Sequence, residues 1–337
     1  MRARRALGAA VATFLLIGCT RGPIEDTGLR SSPPQPPPAA SPPPVAVTAR
    51  PSAPAPTAAP ASPSSSASTT PPPSAAYPWL ADPASSLLPP ADALVDRFTP
   101  PAGFTRVAAP PGTFGAWLRR LPLAPPGTSV VSYRGDLILP ADHANLAAVV
   151  ALDVGARDLQ QCADSIIRLH AEWLYAQGRR DMSYRAASGA PMPFARWAQG
   201  ERAVPDGQGF RWVPSSRSDA SHGSFRRWLD AVFSWANTGS LARDAEVVAS
   251  DELRPGDFVV QAGAPGHAVL VLDLARAPDG RRALLLGQGF MPAQSFHVLR
   301  PGGREGPWFV VEPGDAALAT PFWAPFPWKA LRRFPGA

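Results

Sequence analysis

The 337-residue chain concentrates its proline in one stretch, since 38 of the 46 positions from 31 to 76 are Pro, Ala or Ser. Such a composition cannot bury enough apolar surface to offset the loss of chain entropy, so we expect a disordered tether there. The net charge is +6, but most of it comes from residues 1–76, which carry six Arg and two acidic residues. The rest of the chain is nearly neutral. Because it lacks the basic surface that nucleic-acid binding requires, we expect no nucleic-acid partner.

The N-terminus has the pattern of an export signal. Three arginines within the first five residues precede an apolar segment, 6–18, that is too short to span a bilayer. The segment ends in LIGC at 16–19, which resembles a bacterial lipobox, in which the cysteine is lipidated and becomes the mature N-terminus. We therefore expect a signal peptide over 1–18 and a lipidated N-terminus over 19–30, with Cys19 acylated. An ordinary secretory signal with an incidental cysteine is the alternative.

A lipid at Cys19 would make the membrane a partner and place the protein in the cell envelope. Because Thr20 rather than Asp follows the cysteine, the signal favours the outer membrane, facing the periplasm, if the cell has two membranes. Residues 31–76 then tether a single globular domain over 77–337. Proline-rich chain extends about 3.1 Å per residue, so the tether spans roughly 100 Å and would let the domain reach the cell wall. A passive spacer explains the composition equally well.

The first half of the domain yields four predicted elements. A short helix is indicated over 114–121, a β-hairpin over 130–139 and a buried strand over 147–154. The clearest helix runs over 158–177, with Asp158 as N-cap and Gln161 completing a capping-box pattern. Its apolar stripe consists of Cys162, Ile166, Leu169 and Trp173. We place Asp164 and Glu172 on its solvent side.

The second half reads as a loop, a helix and a small sheet. Residues 182–224 are rich in Gly, Pro and Ser and are predicted to be irregular, and 225–235 to be helical. Strands are predicted over 258–261, 268–274 and 283–288, the last two joined by a Pro-Asp-Gly turn. This order of elements is typical of an α+β domain.

Cys162 is the candidate nucleophile. If Cys19 is acylated, Cys162 is the mature chain's one free thiol. It lies in the first turn of the predicted helix, where unpaired backbone N–H groups and the helix dipole favour a thiolate. A buried, inert helix cysteine is the alternative, because free cysteine is among the most buried residue types.

His267 is the candidate base, because it opens a predicted strand after the glycine-rich segment 263–266. Gln288 lies on the next strand and Gln294 just beyond it, so either amide could orient the imidazole. Gln161 could help to bind an oxyanion, although a capping role is the simpler interpretation. A strand-end histidine with no catalytic role is the alternative for His267.

Two resemblances accompany these residues. A helix-start cysteine with a strand histidine resembles papain-like cysteine hydrolases, and the Pro-Gly-Asp turn at 255–257 followed by Gly266-His267 resembles NlpC-type and CHAP-type cell-wall amidases. That resemblance implies a papain-like arrangement, in which the helix that carries Cys162 packs on a small antiparallel sheet. It also implies peptidoglycan peptides as substrate.

A more extensive resemblance covers residues 98–310. The sequence is similar to the bacterial lipoprotein family of domain of unknown function 4846, although His170 and Trp173 stand where Arg and Tyr are expected. The motifs that carry the resemblance are FGAWLRRLPL at 114–123, DVG at 153–155, DLQQCAD at 158–164, RLHAEWLY at 168–175, PGHAV at 265–269 and QGFMPAQ at 288–294. This family implies a lipoprotein and supplies no substrate.

We derive two hypotheses. In the first, the protein is a lipid-anchored envelope hydrolase, an amidase or peptidase in which Cys162 attacks an amide carbonyl, His267 is the base and Gln288 orients His267. In the second, it is a non-catalytic envelope lipoprotein that binds or scaffolds a wall component. Neither needs a cofactor, and we expect no metal because HExxH and CxxC patterns are absent from the sequence.

Overall fold

The computed structural model describes residues 74–81, 87–303 and 306–337. The predicted signal peptide, Cys19 and the tether up to residue 73 lie outside the described residues. At the start of the described chain, Tyr77 and Trp79 are buried and pack against Trp117, so the folded domain includes them.

The described residues contain six α-helices, of which only two exceed two turns. The helices are α1 Leu94–Arg97, α2 Phe114–Leu118, α3 Cys162–Ala176, α4 Phe194–Ala198, α5 His222–Phe233 and α6 Thr238–Arg243. Four 3₁₀ turns occupy Ser74–Ala76, Pro78–Ala81, Ser250–Glu252 and Trp328–Ala330.

Nineteen strands lie within the described ranges, and most have two to four residues. They are β1 Asp92–Ala93, β2 Thr105–Arg106, β3 Pro122–Leu123, β4 Val130–Val131, β5 Leu137–Leu139, β6 Leu146–Val149, β7 Ser183–Arg185, β8 Pro191–Pro193, β9 Glu201–Asp206, β10 Gly209–Pro214, β11 Glu246–Val247, β12 Phe258–Gln261, β13 His267–Arg276, β14 Arg282–Gln288, β15 His297–Leu299, β16 Trp308–Val311, β17 Ala317–Leu318, β18 Phe326–Pro327 and β19 Leu331–Arg333.

A nine-stranded antiparallel sheet organises the domain. Its strands follow the order β11-β19-β12-β13-β14-β15-β6, with β16 also paired to β14 and β2 to β13. Side chains of β13 alternate between two apolar cores, since Ala268 and Leu270 contact the larger core whereas Val269 and Val271 contact the smaller one. The central strand is therefore buried on both faces, which explains its nearly continuous apolar sequence.

The predicted α+β, papain-like arrangement is wrong. The structure is mostly β, a large antiparallel sheet with few short helices, and it shows no papain-like packing of a helix on a small sheet. The prediction recognised β12, β13 and β14 from their apolar runs and strong turn, and its buried strand over 147–154 overlaps β6, but it did not place that strand in the same sheet. Five further strands, each of two to four residues, extend the sheet, and these are too short to show an alternating pattern.

The bounds of individual elements also differ from the predictions. The clearest helix begins at Cys162, four residues later than expected, because Gln161 rather than Asp158 occupies the N-cap position. The segment 182–224, predicted to be irregular, contains the hairpins β7–β8 and β9–β10 together with α4. In the described part of the chain, no helix is both long and apolar enough to cross a membrane.

A buried carboxylate fastens the periphery of the domain to β13. Asp273 is fully buried at a bulge in the β13–β14 pairing. Its two oxygens accept hydrogen bonds from Arg106 Nε at 2.6 Å and Arg119 Nε at 2.5 Å, and its own Oδ1 also accepts from Leu274 N. Arg106 belongs to β2 and Arg119 directly follows α2, so one side chain joins both elements to the sheet.

We expect Asp273→Ala to destabilise the domain by about 3–5 kcal/mol, because removing one partner of a buried ion pair leaves charges without compensation. Asp273→Asn should cost less, since its amide oxygen can still accept the Leu274 hydrogen bond. Urea unfolding followed by circular dichroism measures both changes. Asp279→Ala, which removes an exposed pair with Arg281, is the control and should change little; equal losses at the two sites would contradict the assignment.

Candidate functional site

Cys162 occupies the first position of α3 and lines a cavity of about 450 Å³. The opposite walls come from the glycine-rich segment 263–266 and from the start of α6, including its N-cap Asn237 and its first residue Thr238. Cys162 itself is only 4% exposed, so the cavity is its route to solvent.

The sulfur lies against the main chain on either side of His267. Its thiol donates a hydrogen bond to Gly266 O at 3.9 Å, and the Ala268 N–H faces the sulfur. Burial, followed by the charge of Asp164, raises the pKa of the Cys162 thiol to about 11, and the nearby N–H groups of Ala163 and Ala268 only partly oppose this. The thiol is therefore protonated at neutral pH.

His267 is fully buried under aromatic rings. Phe290 meets the imidazole edge-on at 4.8 Å between centroids, and Trp323 lies at 5.0 Å on a tilted plane. Burial lowers the pKa of His267 to about 4, although the hydrogen bond to Gln288 acts in the opposite direction. The imidazole is thus neutral at pH 7 and carries one ring proton.

A chain of polar groups determines which nitrogen of His267 carries that proton. His297 Nδ1 lies 3.0 Å from the Ser295 carbonyl oxygen, which can only accept, so His297 is protonated on Nδ1. Its Nε2 must then accept from Gln288 Nε2, at 3.5 Å. This orients the Gln288 amide so that its Oε1 accepts from His267 Nε2 at 2.8 Å. The lone pair of His267 therefore resides on Nδ1.

Nδ1 of His267 is buried and has no hydrogen-bond partner. The thiol of Cys162 donates to Gly266 O instead, so no hydrogen bond joins the candidate nucleophile to the candidate base in this structure. Sulfur and imidazole flank the same short piece of main chain. The His267 ring packs against Phe326 on the smaller-core side of β13, whereas α3 packs on the larger core, so a change of conformation in this segment is needed before a proton can pass between them.

The other glutamines lie elsewhere. Gln294 is buried and pairs through its main chain with Ser132, and no side-chain hydrogen bond connects it to His267. The Gln161 side chain donates to Asp158 Oδ1, while its backbone N–H donates to Asp164 Oδ2. Gln161 thus caps α3, and one of its two amide N–H groups is already bound to Asp158.

Polar residues of α3 that the sequence placed on the solvent side are buried. Glu172 accepts from Arg168 Nε at 2.8 Å and contacts His222 Nε2 at 2.9 Å. Arg168 also pairs with Asp153, which ties α3 to the chain that precedes it. Burial raises the pKa of Asp164 to about 8. Among the described residues, no group of three or more His, Cys, Asp or Glu side chains is placed to hold a metal ion.

The sequence patterns assign no role to His297. Its position becomes meaningful through the register of β14 and β15, which sets Gln288 directly opposite His297. No local sequence signal reveals that pairing, because β15 has only three residues.

Comparison with known proteins gives a single match. A family model described as "Domain of unknown function (4846)" matches residues 94–333. No curated protein and no solved structure matches the chain.

We expect ¹⁵N-resolved NMR of the imidazole groups to show His267 protonated on Nε2 and His297 on Nδ1 at pH 7. His297→Phe removes the acceptor that orients Gln288, so the amide can turn and part of the His267 population should move to the Nδ1–H form. Gln294→Leu is the control and should leave the His267 spectrum unchanged. An Nδ1–H form of His267 in the wild-type protein would contradict the derived orientation.

Proposed function

The chain belongs to the family of domain of unknown function 4846, and because that description assigns no activity, we propose from the site itself that the protein is a lipid-anchored cell-envelope cysteine hydrolase acting on amide bonds of cell-wall peptides. The observation that carries the proposal is the position of Cys162. Its sulfur lies on a cavity wall beside a histidine whose tautomer leaves Nδ1 free to accept a proton.

The proposed reaction begins from a neutral pair. As the substrate carbonyl enters the cavity, a change of conformation frees the thiol from Gly266 O and brings it to His267, and Nδ1 takes its proton while Sγ attacks the carbonyl carbon. The resulting imidazolium gives that proton to the leaving amine, and a thioester remains on Cys162. Water then adds to the thioester with His267 as base, which releases the carboxylic acid and restores the thiol.

Gln288 supports this cycle at two points. Its Oε1 holds the His267 Nε2–H, so Nδ1 remains the basic nitrogen before attack and the imidazolium remains hydrogen-bonded after it. The aromatic cover of Phe290 and Trp323 lowers the local dielectric around the imidazole, which strengthens that hydrogen bond.

The substrate class follows from the predicted location. A lipid on Cys19 and a tether over 31–76 would hold the domain within reach of the wall, where peptide amides are abundant. Cys19 and the tether up to residue 73 lie outside the described residues, so the anchor, the envelope location and the wall peptides belong to the proposal.

A non-catalytic envelope lipoprotein is the competing function. The observation in its favour is the resting state of the thiol, which is nearly buried, hydrogen-bonded to a carbonyl and held at a pKa of about 11. Such a thiol could serve as one wall of a binding cavity without reacting.

We expect the full-length protein to release new amino groups from purified peptidoglycan peptides, detected by mass spectrometry. Cys162→Ala and His267→Ala should each lower the rate by at least about 10³-fold, since nucleophile and base act as one unit. Circular dichroism verifies that each variant folds. Wild-type protein without activity on peptides of varied sequence and crosslinking would favour the non-catalytic function.

The two glutamines give a matched comparison in the same assay. Gln288→Leu should lower kcat by about 10–100-fold, as expected for a residue that orients a reacting imidazole. Gln294→Leu should retain wild-type kcat, because Gln294 does not contact His267. Equal losses in both variants would remove the orienting role from Gln288.

We expect neutral iodoacetamide to alkylate Cys162 slowly at pH 7, roughly two orders of magnitude slower than a free cysteine, because a thiol with a pKa of about 11 is almost entirely protonated there. The rate should rise about tenfold per pH unit and level off near pH 11. Mass spectrometry of the peptide that contains Cys162 separates this signal from Cys19. Fast alkylation near pH 6 that depends on His267 would instead indicate a resting thiolate–imidazolium pair.

A further inference from the structure

The cavity beside Cys162 has an acidic wall. Among its described lining residues are two carboxyl groups, Asp158 and Asp164, and no Lys, Arg or His. A concave site with one sign of charge and apolar walls concentrates ions of the opposite sign. The lining thus favours a positively charged guest.

Asp164 has one oxygen with no assigned partner. The residue is 7% exposed, and its Oδ2 accepts from Gln161 N at 3.2 Å while its Oδ1 is buried without any hydrogen bond. Buried carboxyl oxygens without partners are uncommon and need an explanation. Asp158 differs, because its Oδ1 already accepts from Gln161 Nε2 and Ala293 N.

We propose that this cavity binds an ammonium group of the substrate, and that the Asp164 carboxylate turns its buried, unpartnered Oδ1 toward the cavity to accept from it. The proposal rests on the proposed function in that the ammonium belongs to the same peptide whose carbonyl meets Cys162. The chemical class is a peptide with a free amino group close to the bond that is cleaved, on its N-terminus or on a side chain.

The position of Asp164 links this binding to the thiol. Asp164 and Cys162 lie in the same first turn of α3, and the Asp164 charge is one cause of the raised thiol pKa. Burial keeps Asp164 protonated up to a pKa of about 8, so a bound ammonium would lower that pKa and stabilise the carboxylate as its partner beside the thiol.

The N-terminus of α3 favours the opposite charge. Its N–H groups and dipole attract anions, so an anionic guest is the competing possibility for the same cavity. The capping carboxylate of Asp164 already occupies that position, because Oδ2 binds the Gln161 N–H. A second anion would face two carboxyl groups at short range.

A pair of thiol reagents of opposite charge tests the inference on the full-length chain. Cationic trimethylammonioethyl methanethiosulfonate and anionic sulfonatoethyl methanethiosulfonate are compared at pH 9, above the pKa of Asp164, with labelling measured on the Cys162 peptide. Normalised to their rates with free cysteine, the cationic reagent should react at least tenfold faster, and high salt should reduce the difference. An equal rate, or a faster anionic reagent, overturns the inference without any variant.

Asp164→Asn provides the matched variant, since its amide oxygen can keep the hydrogen bond from Gln161 N while an uncharged NH2 replaces the free oxygen. We expect the preference for the cationic reagent to fall toward unity. At pH 9, where wild-type Asp164 is ionised, neutral iodoacetamide should react several-fold faster with the variant, because the charge that raises the thiol pKa is gone. These opposite changes separate a charge effect from a damaged fold. Asp181→Asn, at an exposed position paired with Arg179, should behave as wild type.

Two small amines distinguish whether the bound ammonium group belongs to the N-terminus of the peptide or to a side chain. Protection of Cys162 from alkylation by L-alaninamide indicates an N-terminal amine, and protection by Nα-acetyl-lysine amide indicates a side-chain amine. Protection by neither overturns the substrate class. A preserved charge preference in a protein that hydrolyses no peptide would leave a cation-binding cavity and remove only the hydrolase.

Discussion

Burial of β13 on both faces is the constraint on which the rest of the structure depends. In a strand that lies between two apolar cores, each buried polar side chain needs a hydrogen-bond or ion-pair partner within the protein. Asp273 has such partners in two arginines that bring β2 and the end of α2 onto the sheet, and His267 has one in Gln288. Near its middle, β13 thus binds β2 and the end of α2, and at its start it carries the histidine of the candidate site.

Burial also explains why the candidate thiol and imidazole are both uncharged before a substrate binds. Exclusion of water moves the pKa of the thiol up and that of the imidazole down, so both partners are neutral over a wide pH range. A hydrolase built in this way depends on its substrate to complete the reactive geometry, and a binding protein built in this way keeps its thiol from oxidation. The two proposed functions therefore differ in what enters the cavity, since the resting chemistry is common to both.

The sequence predicted those parts of the structure that have a strong local signal. The α3 helix has a long apolar stripe, and β12 to β14 have apolar runs and a Pro-Asp-Gly turn, so their existence could be recognised. The nine-stranded sheet could not, because strands such as β2 and β19 have two or three residues and acquire meaning only through partners far along the chain. Asp164 and Glu172 were misplaced because helical periodicity does not show that a helix is covered on all sides. His297 was missed because its function depends on strand register.

The same distant pairings constrain how the molecule forms. Arg106 of β2 lies opposite Ala275, and Val149 of β6 opposite His297, so each pairing must close a long loop before it gains any contact energy. Topologies of high contact order fold slowly, in milliseconds to seconds, and expose unpaired strands meanwhile. Since β12 pairs with β19 through Leu331, this part of the sheet can form only after β13 to β18 have been synthesised.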